Sequence, residues 1–147
     1  MRVLQADRRL RLIVECDGAA RGNPGPAGIG VHITDESGKV VAEIAEGIGV
    51  ATNNVAEYTA AIRGLERARE LGASEVLLRS DSLLLVEQLS GRFKVKNPTL
   101  QQLHAQVRSL AAGFAEPVRY EHVPRERNKD ADRLANEGVD VWLAGLT

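Results

Sequence analysis

Four acidic residues, Asp17, Glu57, Asp81 and Asp132, each fall where an apolar element meets a turn or a helix, in the segments CDGAARGNPGPAG, TNNVAEY, RSDS and NKDADRLAN. Carboxylates spread along a chain yet all placed at element ends can converge in a fold, and such a cluster repels itself unless cations sit in it. An all-oxygen donor set without cysteine favours Mg²⁺ or Mn²⁺ over zinc. Two such ions, about 3.5–4 Å apart, can hold an attacking water and a leaving oxygen in line at a phosphate. These residue types therefore point to a hard-metal site for phosphoryl chemistry.

Each acid also has an ordinary structural role. Asp17 can end a strand and start a turn at Gly18, because Asp bonds the backbone two residues on. Glu57, three residues after Asn54, resembles the Glu of a capping box. Asp81 can cap a helix, and Asp132 or Asp130 can complement the dipole of a helix's first turn. The joint argument is stronger. Asp17, Asp81 and the start of a strand over 117–123 are expected to meet at one sheet edge, where ligands collect in α/β folds. The polar pairs Gly22-Asn23 and Thr52-Asn53 offer backbone and amide hydrogens to phosphate oxygens or sugar hydroxyls.

The elements that must position these groups follow from periodicity. Residues 10–16 are rich in branched side chains and predict a strand, and the dense turn signal at 22–26 follows it. Strands over 27–34 and 39–48, joined by the polar turn 35–38, complete an antiparallel meander. Between Asn54 and Leu71 the apolar residues Val55, Tyr58, Ala61, Ile62, Leu65 and Ala68 recur at three- and four-residue steps, predicting an amphipathic helix. Asn53 or Asn54 can cap its start and Gly72 its end. A strand over 75–80, a short helix over 82–89, a loop over 90–97, a helix from Pro98 to about Ala112, a strand over 117–123 and a helix over about 129–143 follow. The expectation is an α/β fold with a five-stranded mixed sheet flanked by helices, one domain over 1–147 with its core at about 10–143.

Composition sets further bounds. A hydrophobic share of 44% with 27% charge is ordinary for a globular domain, and 3% aromatic residues argue against base stacking as a binding mode. With a net charge of −1, any nucleic-acid contact must come from local basic patches. Arg92, Lys94 and Lys96 in one loop, and Arg119, Arg125, Arg127, Lys129 and Arg133 in the last third, supply candidates; Glu121, Glu126 and Asp130 offset the second group. The lone Cys16 excludes an intramolecular disulfide and a cysteine-built zinc site, and reads as a buried core residue. The charged N-terminus (Arg2, Asp7, Arg8, Arg9, Arg11) shows no signal-peptide pattern and no stretch approaches a membrane span, so the expected location is cytoplasmic.

Taken together, the four motifs resemble those of the type 1 ribonuclease H family, in the same order and over roughly residues 10–140. The resemblance implies a ribonuclease H-like fold with Asp17, Glu57, Asp81 and Asp132 as catalytic and metal-binding acids. It implies two Mg²⁺ or Mn²⁺ ions and endonucleolytic cleavage of RNA in RNA–DNA hybrids, leaving 5′-phosphate and 3′-hydroxyl ends. Gly18, Asn23, Thr52 and Asn53 fall where the family contacts substrate, Asn23 near a 2′-hydroxyl in the minor groove and Thr52 at a DNA-strand phosphate. Double-stranded RNA is a second substrate to test, and a monomer is expected. The domain also resembles the N-terminal half of some two-domain proteins that carry a phosphatase-like domain.

Three departures stand out. Leu83 occupies the position of a substrate-touching glutamine. The loop from Ser90 to Asn97 replaces a basic, Trp-containing protrusion, leaving Arg92, Lys94 and Lys96 as its substitutes. The family's mobile histidine before the last acid has no counterpart, since His122 falls within a strand pattern; this resembles the shorter-loop subgroup of archaea and some bacteria, with Arg125, Glu126 or Arg127 as replacements. His32 and His104 read as an ordinary strand residue and a helix-face residue. Two other readings retain the fold: a binding module without cleavage, and a DNA-strand transferase or DNA exonuclease.

Overall fold

The computed structural model describes residues 9–146; the charged run through Arg8, and Thr147, lie outside the described residues. The chain order is β1 (Arg11–Ala20), β2 (Gly25–Asp35), β3 (Val40–Ala51), α1 (Asn53–Glu70), β4 (Glu75–Ser80), α2 (Leu83–Leu89), α3 (Pro98–Ala111), β5 (Arg119–His122) and α4 (Lys129–Ala144). One sheet holds all five strands in the order β3-β2-β1-β4-β5. β1, β2 and β3 pair antiparallel, whereas β4 lies parallel to β1 and β5 parallel to β4. The expected element order and the mixed sheet are therefore present. None of the described helices is long and apolar enough to cross a membrane.

The extent of β1 differs from expectation, and the site depends on that difference. Instead of ending at Asp17, β1 runs to Ala20, because β2 pairs with it as far as Ala20↔Ala27. β4 does not follow: its pairing with β1 stops at Glu15↔Arg79. Residues 16–20 thus overhang β4 and leave an open notch in the sheet. Asp17 stands on that free flank, so it starts no turn at Gly18. The edge is also reached by the end of β5, not its start, since His122 is opposite Ser80 while Arg119 is opposite Leu77.

Alternation along the strands sends opposite sets to the two helical layers. Leu12, Val14 and Cys16 of β1, with Ile29, Val31 and Ile33 of β2, join Tyr58, Ala61 and Leu65 of α1 and Val107 of α3 in the buried core. The other face carries α4, and glycines permit its close approach. A Cβ on Gly28 would lie 2.5 Å from the Ala135 carbonyl oxygen, and one on Gly30 only 2.0 Å from that of Ala131. Gly138 returns the favour from α4, where a Cβ would meet the Glu46 carbonyl at 2.4 Å. On the α1 side, a Cβ on Gly18 would fall 2.3 Å from the Ala56 carbonyl carbon. Small residues at these contacts set how near α1, which carries Glu57, comes to β1 and α4, which carries Asp132, comes to β2 and β3.

Gly30→Ala should therefore force α4 outward rather than fill space, since the obstruction is backbone. Overpacking of this kind costs about 1–3 kcal/mol, expected as a lower urea midpoint with an unchanged slope; an unaltered midpoint would show that α4 does not rest on this glycine.

Candidate metal centre

Local structure frees Asp17, Glu57 and Asp81 from the ordinary roles that each could have filled. Thr52, not Asn53 or Asn54, caps α1, its hydroxyl oxygen accepting from the Val55 amide at 3.2 Å. Glu57 therefore lies beyond the capping-box position. Its Oε1 instead accepts from the Gly18 amide at 3.3 Å and its Oε2 from the Ser80 hydroxyl at 3.5 Å. Ser82 caps α2 by accepting from the Leu85 amide, which releases Asp81 from that role. Asp132 sits in the first turn of α4 as expected.

Asp17, Glu57 and Asp81 each bring one carboxylate oxygen within 4.8 Å of the others. Asp132 is outside that tight trio but lines the same cleft, of about 390 Å³, with Gly18, Ala20, Asn53, Arg125 and Asn136. Asp17 is only 6% exposed. Burial first, then the charges of Glu57 and Asp81, drives its carboxyl far above the usual range. Burial likewise pushes Glu57 up to about 7, and raises Asp81 against the opposing pull of Arg125 and a hydrogen bond from Asn128. Among the described residues, Arg125 is the one cation lining the cleft. An all-oxygen cluster this short of positive charge fits hard divalent cations. Cys16, buried, donates its thiol to the Arg79 carbonyl and takes no part.

Two positioning residues escaped the sequence reading. Ser80, fully buried, donates to Glu57 and accepts from the Ser82 amide at 3.0 Å, joining the Glu57 carboxylate to the turn that bears Asp81. It stands within the RSDS segment, so its signal lay beside the acid. Asn128, also fully buried, donates to the Cys16 carbonyl at 3.0 Å while its own carbonyl receives the Asp132 amide at 3.1 Å. Its side chain reaches Asp81 as well. It thereby links β1 at Asp17, the end of β4 and the start of α4. Its amide oxygen is buried with no hydrogen-bond partner among the described residues, a cost that stability alone gives no reason to carry.

The remaining sequence candidates divide. Asn23 Oδ1 accepts from the Asn53 amide at 3.0 Å, and Asn53 Oδ1 from the Ala20 amide at 3.1 Å. Backbone amides can only donate, so both side-chain oxygens are tied and both NH₂ groups remain as donors. Gly18 spends its N–H on Glu57. Among the basic residues, Arg92 is held by Glu87, Arg119 by Glu75, and Arg133 by Glu43, Asp130 and Glu137. Lys94, Lys96, Arg125 and Arg127 have no ion-pair partner among the described residues. Arg127 lines a different hollow, with Arg79 and His122. Leu83 is 52% exposed at the start of α2, and His122 ends β5 as a strand residue. His104 is the expected helix-face residue, its Nε2 3.1 Å from the Gln88 carbonyl. His32 is not an ordinary strand residue, because it is buried against carboxylates.

Comparison with known proteins agrees with this architecture. The reverse transcriptase-like family model matches residues 15–138. A bifunctional protein of Mycobacterium tuberculosis is 51% identical over 133 residues, which cover 90% of this chain but 36% of that protein. Ribonuclease HI of Halobacterium salinarum is 44% identical over 138 residues, 94% of this chain and 69% of that one. The crystal structure of LC11-RNase H1 in complex with an RNA/DNA hybrid superposes with a TM-score of 0.86 at 46% identity, covering 90% of this chain and 99% of that one. The chain spans about a third of the length of the first of these relatives.

The raised carboxyls set a pH dependence. They bind protons more tightly folded than unfolded, so their contribution to stability is fully present below the free carboxylate range near 4 and is lost as pH rises through about 7 for Glu57. In EDTA the melting temperature should fall across that window. Asp81→Asn should raise the melting temperature at pH 8, because it removes one charge from the cluster, and weaken the stabilisation by added Mg²⁺. A metal-free D81N protein that melts lower than the parent would contradict the repulsive reading.

Proposed function

The chain belongs to the ribonuclease H-like family, and from that membership we propose that it is a metal-dependent endoribonuclease that cuts the RNA strand of RNA–DNA hybrids. The observation that carries the proposal is the trio Asp17, Glu57 and Asp81, with Asp132 beside it, in an open polar cleft flanked by two asparagine amide donors. In the hydrolysis, a water oxygen bonds to phosphorus, the P–O3′ bond breaks, and O3′ leaves with a proton. The products are a 5′-phosphate and a 3′-hydroxyl. Two Mg²⁺ or Mn²⁺ ions, when bound, supply the positive charge that activates the water and stabilises the leaving oxygen.

The chain's own residues do the rest. Asp17, Glu57 and Asp81 hold the cations, with Asp132 completing the set from α4. Ser80, Asn128 and the Gly18 amide keep the carboxylates in place. The free NH₂ groups of Asn23 and Asn53 suit the acceptors of a minor groove and the 2′-hydroxyl, the group that separates RNA from DNA. Thr52, whose oxygen already accepts from Val55, keeps its hydroxyl hydrogen for a phosphate at the positive end of α1. Arg125, which lines the cleft and favours the ionised form of Asp81, takes the place of a loop histidine. The loop between β5 and α4 has none, which supports the shorter-loop subgroup. Lys94, Lys96 and Arg127 track phosphates further out.

The test is cleavage of one end-labelled strand in matched RNA–DNA, RNA–RNA and DNA–DNA duplexes, with Mg²⁺ and Mn²⁺ tried separately. RNA in the hybrid should be cut only with metal, and D81N should lose at least about a hundredfold in rate, as when a group stabilising transition-state charge is removed. Cleavage of RNA–RNA as well would mark loose groove selection. Hybrid binding without cleavage under either metal would leave a binding module, and cutting of DNA–DNA would favour the nuclease or transferase alternative.

A further inference from the structure

A second group of ligating side chains lies on the α4 face of the sheet, outside the cleft. Glu15 of β1, His32 of β2 and Asp130 of α4 each present one donor atom within 4.8 Å of the others. Unlike the catalytic trio, this set includes an imidazole, and the ring is only 7% exposed.

The ring's hydrogen bonding makes the set more than an acidic patch. His32 Nδ1 lies 2.9 Å from Glu43 Oε2. An ionised carboxylate only accepts, so Nδ1 carries its hydrogen toward Glu43. That directs Nε2 to the opposite side, where Asp130 Oδ2 stands at 3.7 Å, beyond hydrogen-bond distance. Nε2 of a buried ring therefore faces carboxylate oxygens at a distance that leaves room for a bridging cation. A carboxylate on the far ring nitrogen is also the arrangement that orients metal-binding histidines and raises their basicity. The neighbouring cation, Arg133, is engaged by Glu43, by the other oxygen of Asp130 and by Glu137. Arg79, the remaining cation acting on Glu15, is held by Glu121 at 2.6 Å.

We propose that Glu15, His32 and Asp130 form a second cation site, for a borderline transition-metal dication such as Zn²⁺ rather than for Mg²⁺. Imidazole with carboxylates selects that class. Ligands around one such ion stand roughly 3.4 Å apart, from metal–ligand distances of about 2.1 Å, and the exposed Asp130 side chain can close the difference. The ion would bind β1, β2 and the first turn of α4 together, two residues from Asp17 and two from Asp132. The competing occupant of Nε2 is a proton.

The experiment is Zn²⁺ titration of metal-stripped D81N protein, chosen so that the catalytic cluster is weakened, followed by the ring ¹⁵N resonances of His32 and by calorimetry. One equivalent of Zn²⁺ should move the Nε2 resonance, while Mg²⁺ at equal concentration should not. Asp130→Asn, on the surface, should lower Zn²⁺ affinity at least tenfold without unfolding the protein, and His32→Gln should do the same. A His32 resonance that Zn²⁺ leaves unmoved, or an affinity that neither substitution changes, would overturn the site and assign Nε2 to a proton. Neither result bears on hybrid cleavage, so the two readings fail independently.

Discussion

Three carboxylates must be held closer together than their charges favour, and the fold around the cleft is organised to do so. In water they would separate; here β1 overhangs β4, and Asp17 has no neighbouring strand on that flank. Glu57 enters from one side on α1 and Asp81 from the end of β4. The restraint is mostly backbone. The Gly18 amide holds Glu57, and Gly18 itself, lacking a Cβ, lets α1 sit directly on β1. Hydrophobic burial elsewhere offsets the electrostatic cost, because Leu12, Val14 and Ile29 of the sheet and Leu65 of α1 are fully or almost fully buried in one core. Backbone restraint of this kind fixes where the carboxylates stand, which is the form that preorganisation takes in a charged site.

The same constraint explains what could be read from the sequence. Helix period, turn chemistry and branched strands gave every element in order, since those signals are local. The four acids were visible because each lies in a short polar motif, although Asp17 stands inside β1 and Glu57 inside α1 rather than at a boundary. What stayed hidden was relational. Whether β1 stops at Asp17 or continues to Ala20 depends on how far β2 pairs with it, and nothing in LRLIVEC records that. Thr52 and Asn53 compete for one cap on similar local chemistry, and the bonds that hold Asn53 elsewhere, from the Ala20 amide to its side chain and from its own amide to Asn23, separate them. Asn128 reads as a polar residue before a helix. Its link to the Cys16 carbonyl spans a sequence separation of 112, which no window of sequence contains.

The histidine readings divide along the same line. His122 and His104 fall where their local patterns place them. His32 fits its strand pattern just as well, yet its neighbours come from β1, β3 and α4, and they convert a core-facing histidine into the centre of a carboxylate group. The basic residues repeat the lesson. Arg92, Arg119 and Arg133 look equivalent to Arg125 and Arg127 in sequence, but carboxylates already hold the first three. Surface ion pairs add little to stability; their effect here is to decide which guanidinium groups remain to meet a phosphate.

The charge of the cleft ties metal and substrate together. As it stands, the trio, Asp132 and Arg125 give a negative surface that would repel a phosphodiester, and a chain of net charge −1 offers no general field to overcome it. Two divalent cations would reverse the local sign. Asn23, Asn53 and Thr52 carry no charge, so they can select a groove but cannot draw a polyanion in. On the proposed function, ions and nucleic acid would bind with positive coupling, each raising the other's affinity by the same factor. On the proposed reading no broad basic surface is needed: recognition would rest on neutral donors, and attraction would arise where the cations sit.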